Sequence, residues 1–247
     1  MKNSWNPKDY DKHARFVSDL ALDLVDLLEL RGEERVLDVG CGDGVLSLEV
    51  QKRCKSLLGI DASSHMVRKA LQNGITAKVL DVCELDFEDE FERVFSNAAL
   101  HWVKDHKIAL ANISNSLKVG GIFVAELGGA GNVDTIIKAM REVFRIKNYQ
   151  KFENPWFFPS LSEYVKLLED ANLQTLYIEL IPRFTPIDDI KNWLRLFANG
   201  IVYHLSANQK EEFVCLVAER LTRTPLYNNG KWYADYVRLR FKAIKIK

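Results

Sequence analysis

Val36-Leu-Asp-Val-Gly-Cys-Gly-Asp-Gly44 is the stretch on which the reading of this chain turns. A short apolar run passes into glycines at 40, 42 and 44, and Val45–Lys52 follows with helical patterning. This is the signature of a buried strand, a glycine-rich turn and a helix. Glycine permits the tight turn and lets a ligand touch bare backbone, and the helix start offers N–H groups without partners. A dinucleotide fingerprint would place its third glycine at position 45, where this chain has Val. Asp38, two residues before Gly40, is a poor neighbour for a pyrophosphate, because it puts negative charge near negative charge. The combination suits a ligand carrying an amino group and a sulfonium.

Four further segments keep step with this turn. Leu57-Leu-Gly-Ile-Asp61 is a second apolar strand ending in an acid, 21 residues after Gly40. Ala77-Lys-Val-Leu-Asp81-Val82 is a third strand of the same kind. Phe91 to Trp102 supplies a fourth strand and its exit loop, Ser96-Asn97-Ala98-Ala99-Leu100-His101-Trp102, and Leu117 to Glu126 a fifth. Asp38-x-Gly40-x-Gly42-x-Gly44 with these spacings resembles motif I and its companions in the class I S-adenosylmethionine (SAM)-dependent methyltransferases. That resemblance implies SAM as cofactor and S-adenosylhomocysteine as product. It implies that Asp61 takes the ribose hydroxyls, that Asp81 takes the adenine amino group and that the Val82 N–H meets the ring. It implies a cofactor lying along loops 40–44, 61–66, 81–83 and 97–102. Gly40, Cys41, Gly42, Gly44, Ala62, Met66, Asn97, Ala98 and Trp102 join Asp38, Asp61, Asp81 and Val82 as expected cofactor contacts. Three of them have a bland alternative: Asp61 could cap the helix Ser64–Leu71, Asp81 could be a turn residue and Met66 a core methionine.

At 247 residues the chain allows one large domain, or a domain with an inserted cap. Its 34 basic and 34 acidic side chains cancel, which argues against a broad electrostatic grip on nucleic acid. No run approaches the ~18 apolar residues of a membrane span, and the first ten residues lack the apolar core of a secretory signal. Cys41, Cys54, Cys83 and Cys215 are scattered without metal or disulfide spacing, as in a reduced cytoplasmic protein. No metal is expected. The expected partner is a small-molecule acceptor, with the chain as monomer or homodimer.

Apolar positions at helical spacing over 12–30 predict a helix beside the first strand. Helices alternating with five strands imply a parallel sheet with covered faces, the doubly wound α/β class. Helices are predicted over Asp105–Leu117 and Thr135–Lys147. An irregular aromatic segment follows at 148–159, and Ser160-x-x-Glu163 is a capping box opening a helix to Ala171. Gln174–Ile181 reads as a sixth strand, Asp188–Asn199 and Asn208–Thr222 as helices, and Trp232–Ile246 alternates as a strand. The resemblance implies seven strands in a Rossmann-like sheet, the last antiparallel and seated between the fifth and sixth. Residues 1–247 are then one domain, with 183–231 a helical cap over the active-site edge.

Trp5-Asn6-Pro7-x-x-Tyr10 and the strand-four exit with Asp105-His106 resemble the trans-aconitate methyltransferases, which implies O-methylation of a small carboxylic acid. Tyr10 and Trp5 are expected to form a lid over the cofactor, or to pack outside the first helix. Malonyl-carrier-protein O-methyltransferases share the strand-four exit. Methylation of carbon or oxygen in a lipid or quinone-like acceptor is a further reading, suited to the aromatic 149–158, and a non-catalytic SAM-binding protein is a third. His101 is either the general base or a loop-closing residue. A carboxylate acceptor is already ionised and needs no base, but it needs a cation. Arg238 is the candidate, with Arg183 as second, and a solvated strand face is their alternative. Trp102 and Trp156 are expected walls. His13 and His106 are expected to be solvated.

Overall fold

A computed structural model describes residues 22–149 and 152–247. Expectations placed on Trp5, Tyr10, His13 and the first part of the 12–30 helix lie outside the described residues. The strands are β1 (Arg35–Val39), β2 (Ser56–Asp61), β3 (Ala77–Val79), β4 (Phe91–Asn97), β5 (Leu117–Gly128), β6 (Leu173–Ile187), β7 (Tyr227–Asn228) and β8 (Lys231–Lys245). The helices are α1 (Leu22–Asp26), α2 (Val45–Gln51), α3 (Ser64–Gln72), α4 (His106–Ser116), α5 (Asp134–Ile146), α6 (Leu161–Asp170), α7 (Ile190–Phe197) and α8 (Ala207–Leu221).

The sheet runs β3-β2-β1-β4-β5-β8-β6. Strands β1 to β5 are parallel, and β8 is antiparallel to both β5 and β6. The doubly wound order and the inserted antiparallel strand are those expected. The two-residue β7, which pairs only with β8, is an addition. Parallel strands covered on both faces need apolar residues pointing both ways. Accordingly β1 is buried from Val36 to Val39 and β5 from Gly121 to Gly128. One face packs Val36, Phe95 and Val124 against Leu24 and Leu28. The other packs Leu37, Phe123 and Phe241 against Leu110 of α4 and Tyr164 of α6.

Two boundaries differ from the sequence reading. β6 continues to Ile187, so residues 183–187 belong to the strand and not to the insertion. Pro182 and Pro186 are tolerated within it because β6 is the outermost strand, where a missing N–H leaves no ladder partner unpaired. α5 and the aromatic segment also join the helices 190–221 in one apolar cluster: Ile136, Met140 and Phe144 pack with Trp156, Trp193, Phe213 and Val217. The layer over the sheet edge is therefore built from two insertions, one after β5 and one between β6 and β8. Asp235 of β8 ties it down by accepting the Val133 and Thr135 N–H groups (both 2.9 Å) where α5 begins.

The switch point lies between β1 and β4, whose exit loops touch. Gly40 has φ +75°, and a Cβ there would lie 2.2 Å from the Ala99 Cβ. Gly40→Ala should destabilise the fold by roughly 2–4 kcal/mol through overpacking and left-handed strain. Adding Ala99→Gly should recover the overpacking share alone, a non-additivity readable from urea unfolding of the four proteins.

Candidate active site

A cavity of about 730 Å³ opens at the carboxyl ends of β1, β2 and β4 and runs under the helical layer. This is where open α/β sheets bind ligands, and its size lies within the ~300–1,000 Å³ of ligand pockets. The glycine turn forms its floor. Gly40 and Cys41 N–H both donate to the Ile60 carbonyl (2.8 and 3.0 Å), which fastens the turn to β2. Gly42, at φ +56°, lines the cavity, and a Cβ there would meet nothing within 4 Å. Gly44 and Cys41, expected at the cofactor, do not line the cavity. Gly44, at φ +81°, precedes α2, where a Cβ would strike Ile75 and Ala70. The buried Cys41 thiol fills the space beside Gly59, and burial pushes its pKa up.

Three carboxylates surround this floor in different states. Asp61 lines the cavity and accepts the Gly42 N–H on Oδ2 (3.1 Å) and the Ser63 N–H on Oδ1 (2.8 Å). It is not the cap of α3, because the Ser63 hydroxyl accepts the Met66 N–H there. Burial raises the Asp61 pKa, and the two backbone donors oppose that rise. Asp81 is exposed at the rim, where Oδ1 accepts the Cys83 N–H (2.9 Å) and so caps the 3₁₀ turn Val82–Glu84. Asp38 is 3% exposed, lies behind the turn and accepts the Ser47 hydroxyl (2.6 Å). Burial raises its pKa to about 7. Ala62, Met66, Val82, Asn97, Ala98 and Trp102 all line the cavity. Ala98 holds φ +54° while its N–H donates to the Glu126 carbonyl (2.8 Å).

The other end of the cavity brings His101 and Arg238 together under the helical layer. His101 is buried, and its Nδ1 accepts the Gly128 N–H (3.2 Å). An acceptor Nδ1 leaves the ring proton on Nε2. Burial, with the charges of Arg238 and His106, holds the His101 pKa well below the usual histidine range. With Nδ1 engaged by the Gly128 N–H, Nε2 is the ring's other polar atom. The Arg238 guanidinium is buried over the Tyr236 ring, 4.5 Å from its centre.

Arg183 does not line the cavity, which corrects its expected place at the acceptor. Its guanidinium takes both oxygens of Glu126 (2.8 and 3.1 Å), and Arg240 grips the same carboxylate (2.8 Å). Glu126 is 3% exposed and so requires such compensation. His106, expected to be solvated, is buried beside Phe157 and Tyr164, and desolvation lowers its pKa to about 4.

Asn132, Phe158, Trp193, Phe197 and Tyr236 line the cavity without having been singled out from sequence. Asn132 Oδ1 accepts the Val237 N–H (2.9 Å), which fixes the amide and leaves its nitrogen as donor. Trp193 Nε1–H donates to the Tyr236 hydroxyl (2.6 Å), joining α7 to β8. Only the aromatic content of 149–158 and the alternation of β8 hinted at this wall. Among the described residues no cluster of three or more metal-ligating side chains occurs, and no helix is long and apolar enough to cross a membrane.

The methyltransferase-domain family matches residues 37–125. Over nearly its whole length the chain is similar to the uncharacterized methyltransferase C70.08c of Schizosaccharomyces pombe, at 38% identity with 98% of each chain covered. It is also similar to the trans-aconitate 2-methyltransferase of Escherichia coli, at 26% identity with 96% of each covered. Among solved structures, a putative methyltransferase from Bacillus halodurans shares the fold with a TM-score of 0.68 at 16% identity, covering 93% of this chain and 100% of that one. The chain belongs to the class I SAM-dependent methyltransferases, and SAM is its cofactor.

The residues present fit that cofactor, with a bare-backbone floor, a carboxylate at the end of β2 and an acid behind the turn. Asp38 gives the fit a pH dependence. Its folded pKa near 7 exceeds the ordinary 3.8, so the folded chain holds a proton that the unfolded chain sheds, and stability falls as pH rises from about 4 through 7. A cationic cofactor favours the ionised form. SAM affinity should rise with pH through about 7 and release protons in titration calorimetry. Asp38→Asn should lose that dependence and weaken binding, yet raise the midpoint of thermal unfolding at pH 8, by on the order of 3 kcal/mol of stability. Pairing of lower affinity with lower stability would contradict this account.

Proposed function

We propose that the chain methylates a carboxylate oxygen of a small molecule. The observation carrying this reading is the geometry of the acceptor end, where His101 Nδ1 already accepts the Gly128 N–H and the Tyr236 hydroxyl already accepts the Trp193 Nε1–H beside Arg238. Among the described residues lining it, the titratable groups are His101, Tyr236 and Arg238. The His101 Nδ1 lone pair is taken by the Gly128 N–H and burial lowers its pKa, burial raises the Tyr236 pKa, and Arg238 is a guanidinium. None is suited to remove a proton near pH 7, whereas Arg238, the Asn132 amide and His101 Nε2–H form a donor set for an anion. Hydroxyl or carbon acceptors need a base; a carboxylate does not.

In this reading the glycine floor and Asp61 hold the ribose end of the cofactor, with Asp38 behind them. Asp81, Val82 and Met66 bound the adenine slot. Bound SAM supplies an electrophilic methyl group: a carboxylate oxygen forms the new C–O bond as the C–S bond breaks with its electron pair leaving on sulfur, so no proton moves. The protein's own work is to orient the acceptor and to exclude water. The two insertions over the sheet edge serve as the cap that excludes it. Arg238 binds a full negative charge in the ground state and a diminishing one as the ester forms. Its contribution is therefore to acceptor binding more than to the chemical step.

Arg238→Ala should raise KM for the acceptor and lower kcat/KM by tens to a hundredfold, about 2–3 kcal/mol, with cofactor affinity intact. His101→Ala should keep substantial turnover, and the wild-type rate should show no limb from a histidine titrating between about pH 6 and 7. An inactive His101→Ala beside a normal Arg238→Ala would assign a hydroxyl or carbon acceptor instead.

A further inference from the structure

Asp81 stands exposed at the rim of the cavity. An exposed carboxylate samples many orientations unless a neighbour fixes it, and an unfixed group reads a ligand poorly. One peptide group does the fixing. The Cys83 N–H donates to Asp81 Oδ1 (2.9 Å). The other side of that peptide is the Val82 carbonyl, and it accepts the Nδ2–H of Asn112 in α4 (3.2 Å). A carbonyl can only accept, so the amide nitrogen of Asn112 and not its oxygen faces it. Asn112, the Val82–Cys83 peptide and Asp81 therefore form one chain of hydrogen bonds, in which each bond polarises the next.

The helix at the far end of this chain is firmly placed. Ala109, Leu110 and Ile113 of α4 are fully buried against the sheet. Its start is capped by Asp105, whose Oδ1 accepts the Ile108 N–H (3.1 Å). The turn meets α4 at a second point, where the Cys83 thiol reaches the Asp105 carbonyl (3.7 Å). The Glu84 N–H returns to the Asp81 carbonyl (2.9 Å) and closes the turn. Asn112 thus carries a core-fixed position out to the rim. The turn sets an acceptor, the Asp81 carboxylate, next to a donor, the Val82 N–H. Adenine offers the complement, an amino group at C6 and an acceptor at N1. A 6-oxopurine offers the inverse, so acceptor would face acceptor and donor would face donor, with both pairs lost.

We propose that Asn112 is a positioning residue for purine selection: through the Val82–Cys83 peptide it holds Asp81 in the orientation that distinguishes adenine from a 6-oxopurine. This rests on the reading of Asp81 and Val82 as the adenine contacts and adds what orients them. Dissociation constants of the full-length protein for S-adenosylhomocysteine and S-inosylhomocysteine are measured by titration calorimetry, and their ratio is the readout. The wild type should favour the adenine ligand by roughly tenfold or more. Asn112→Leu keeps the side-chain size and removes the donor. It should cut that ratio by roughly threefold or more, chiefly by weakening the adenine ligand. Asn112→Asp keeps the shape, removes the donor and should cut the ratio as far, which guards against a leucine variant that folds poorly. Equal weakening of both ligands, with the ratio intact, would leave Asn112 a structural residue and overturn the proposal. Wild-type binding of both ligands by the two variants would overturn it too. An Asp81→Asn protein with the wild-type ratio would overturn the adenine reading of Asp81 itself.

Discussion

The Asp61 carboxylate is the constraint around which the site is built. It sits at the end of β2 and accepts N–H groups from both neighbouring loops, Gly42 of the glycine turn and Ser63 ahead of α3. Each loop alone has few internal hydrogen bonds, and a left-handed glycine turn loses more entropy on ordering than an ordinary turn. A buried carboxylate between them, with charge-assisted bonds to both, supplies the missing enthalpy. Its burial also raises the energy of its charged form, which the two N–H groups oppose. The same group fastens the floor of the cavity to both loops.

The local parts of this arrangement were legible in the sequence because their physics is local. A strand ending in an acid, glycines at alternate positions and a helix beginning beyond them are adjacent in the chain, and their spacing carries the geometry. Gly44 and Cys41 show the limit even here. Both belong to the motif, yet Gly44 is required by the nearness of Ile75 and Ala70, and Cys41 by the gap at Gly59. A residue can be essential to a ligand loop through what packs behind it.

The rest was not legible because it depends on pairs far apart. Arg183 reads as a cation at a strand end, but its partner Glu126 lies 57 residues earlier, on the far side of β8. The start of α5 gave no capping signal, since Val133 has no side-chain acceptor; the cap arrives from Asp235, 100 residues from Thr135. The extent of β6 was hidden by two prolines whose cost vanishes only on an edge strand, a property of sheet order and not of sequence.

Arg238 and Arg240 carry this argument to the chemistry. They are two residues apart on β8 and share a face, so alternation gives them the same orientation. Arg240 lies opposite Glu126, which binds it; Arg238 lies opposite Gly128, which has no side chain. The absence of a side chain at 128 does two further things. Its N–H reaches the Nδ1 of His101 and so fixes that ring's proton on Nε2. Its missing Cβ leaves room for Phe158, whose ring would otherwise collide at 2.4 Å. One glycine at the end of β5 therefore places no side chain opposite Arg238, binds the neighbouring imidazole through its N–H and admits the Phe158 ring. Those three properties distinguish this end of the cavity from the Glu126 cluster one register step away.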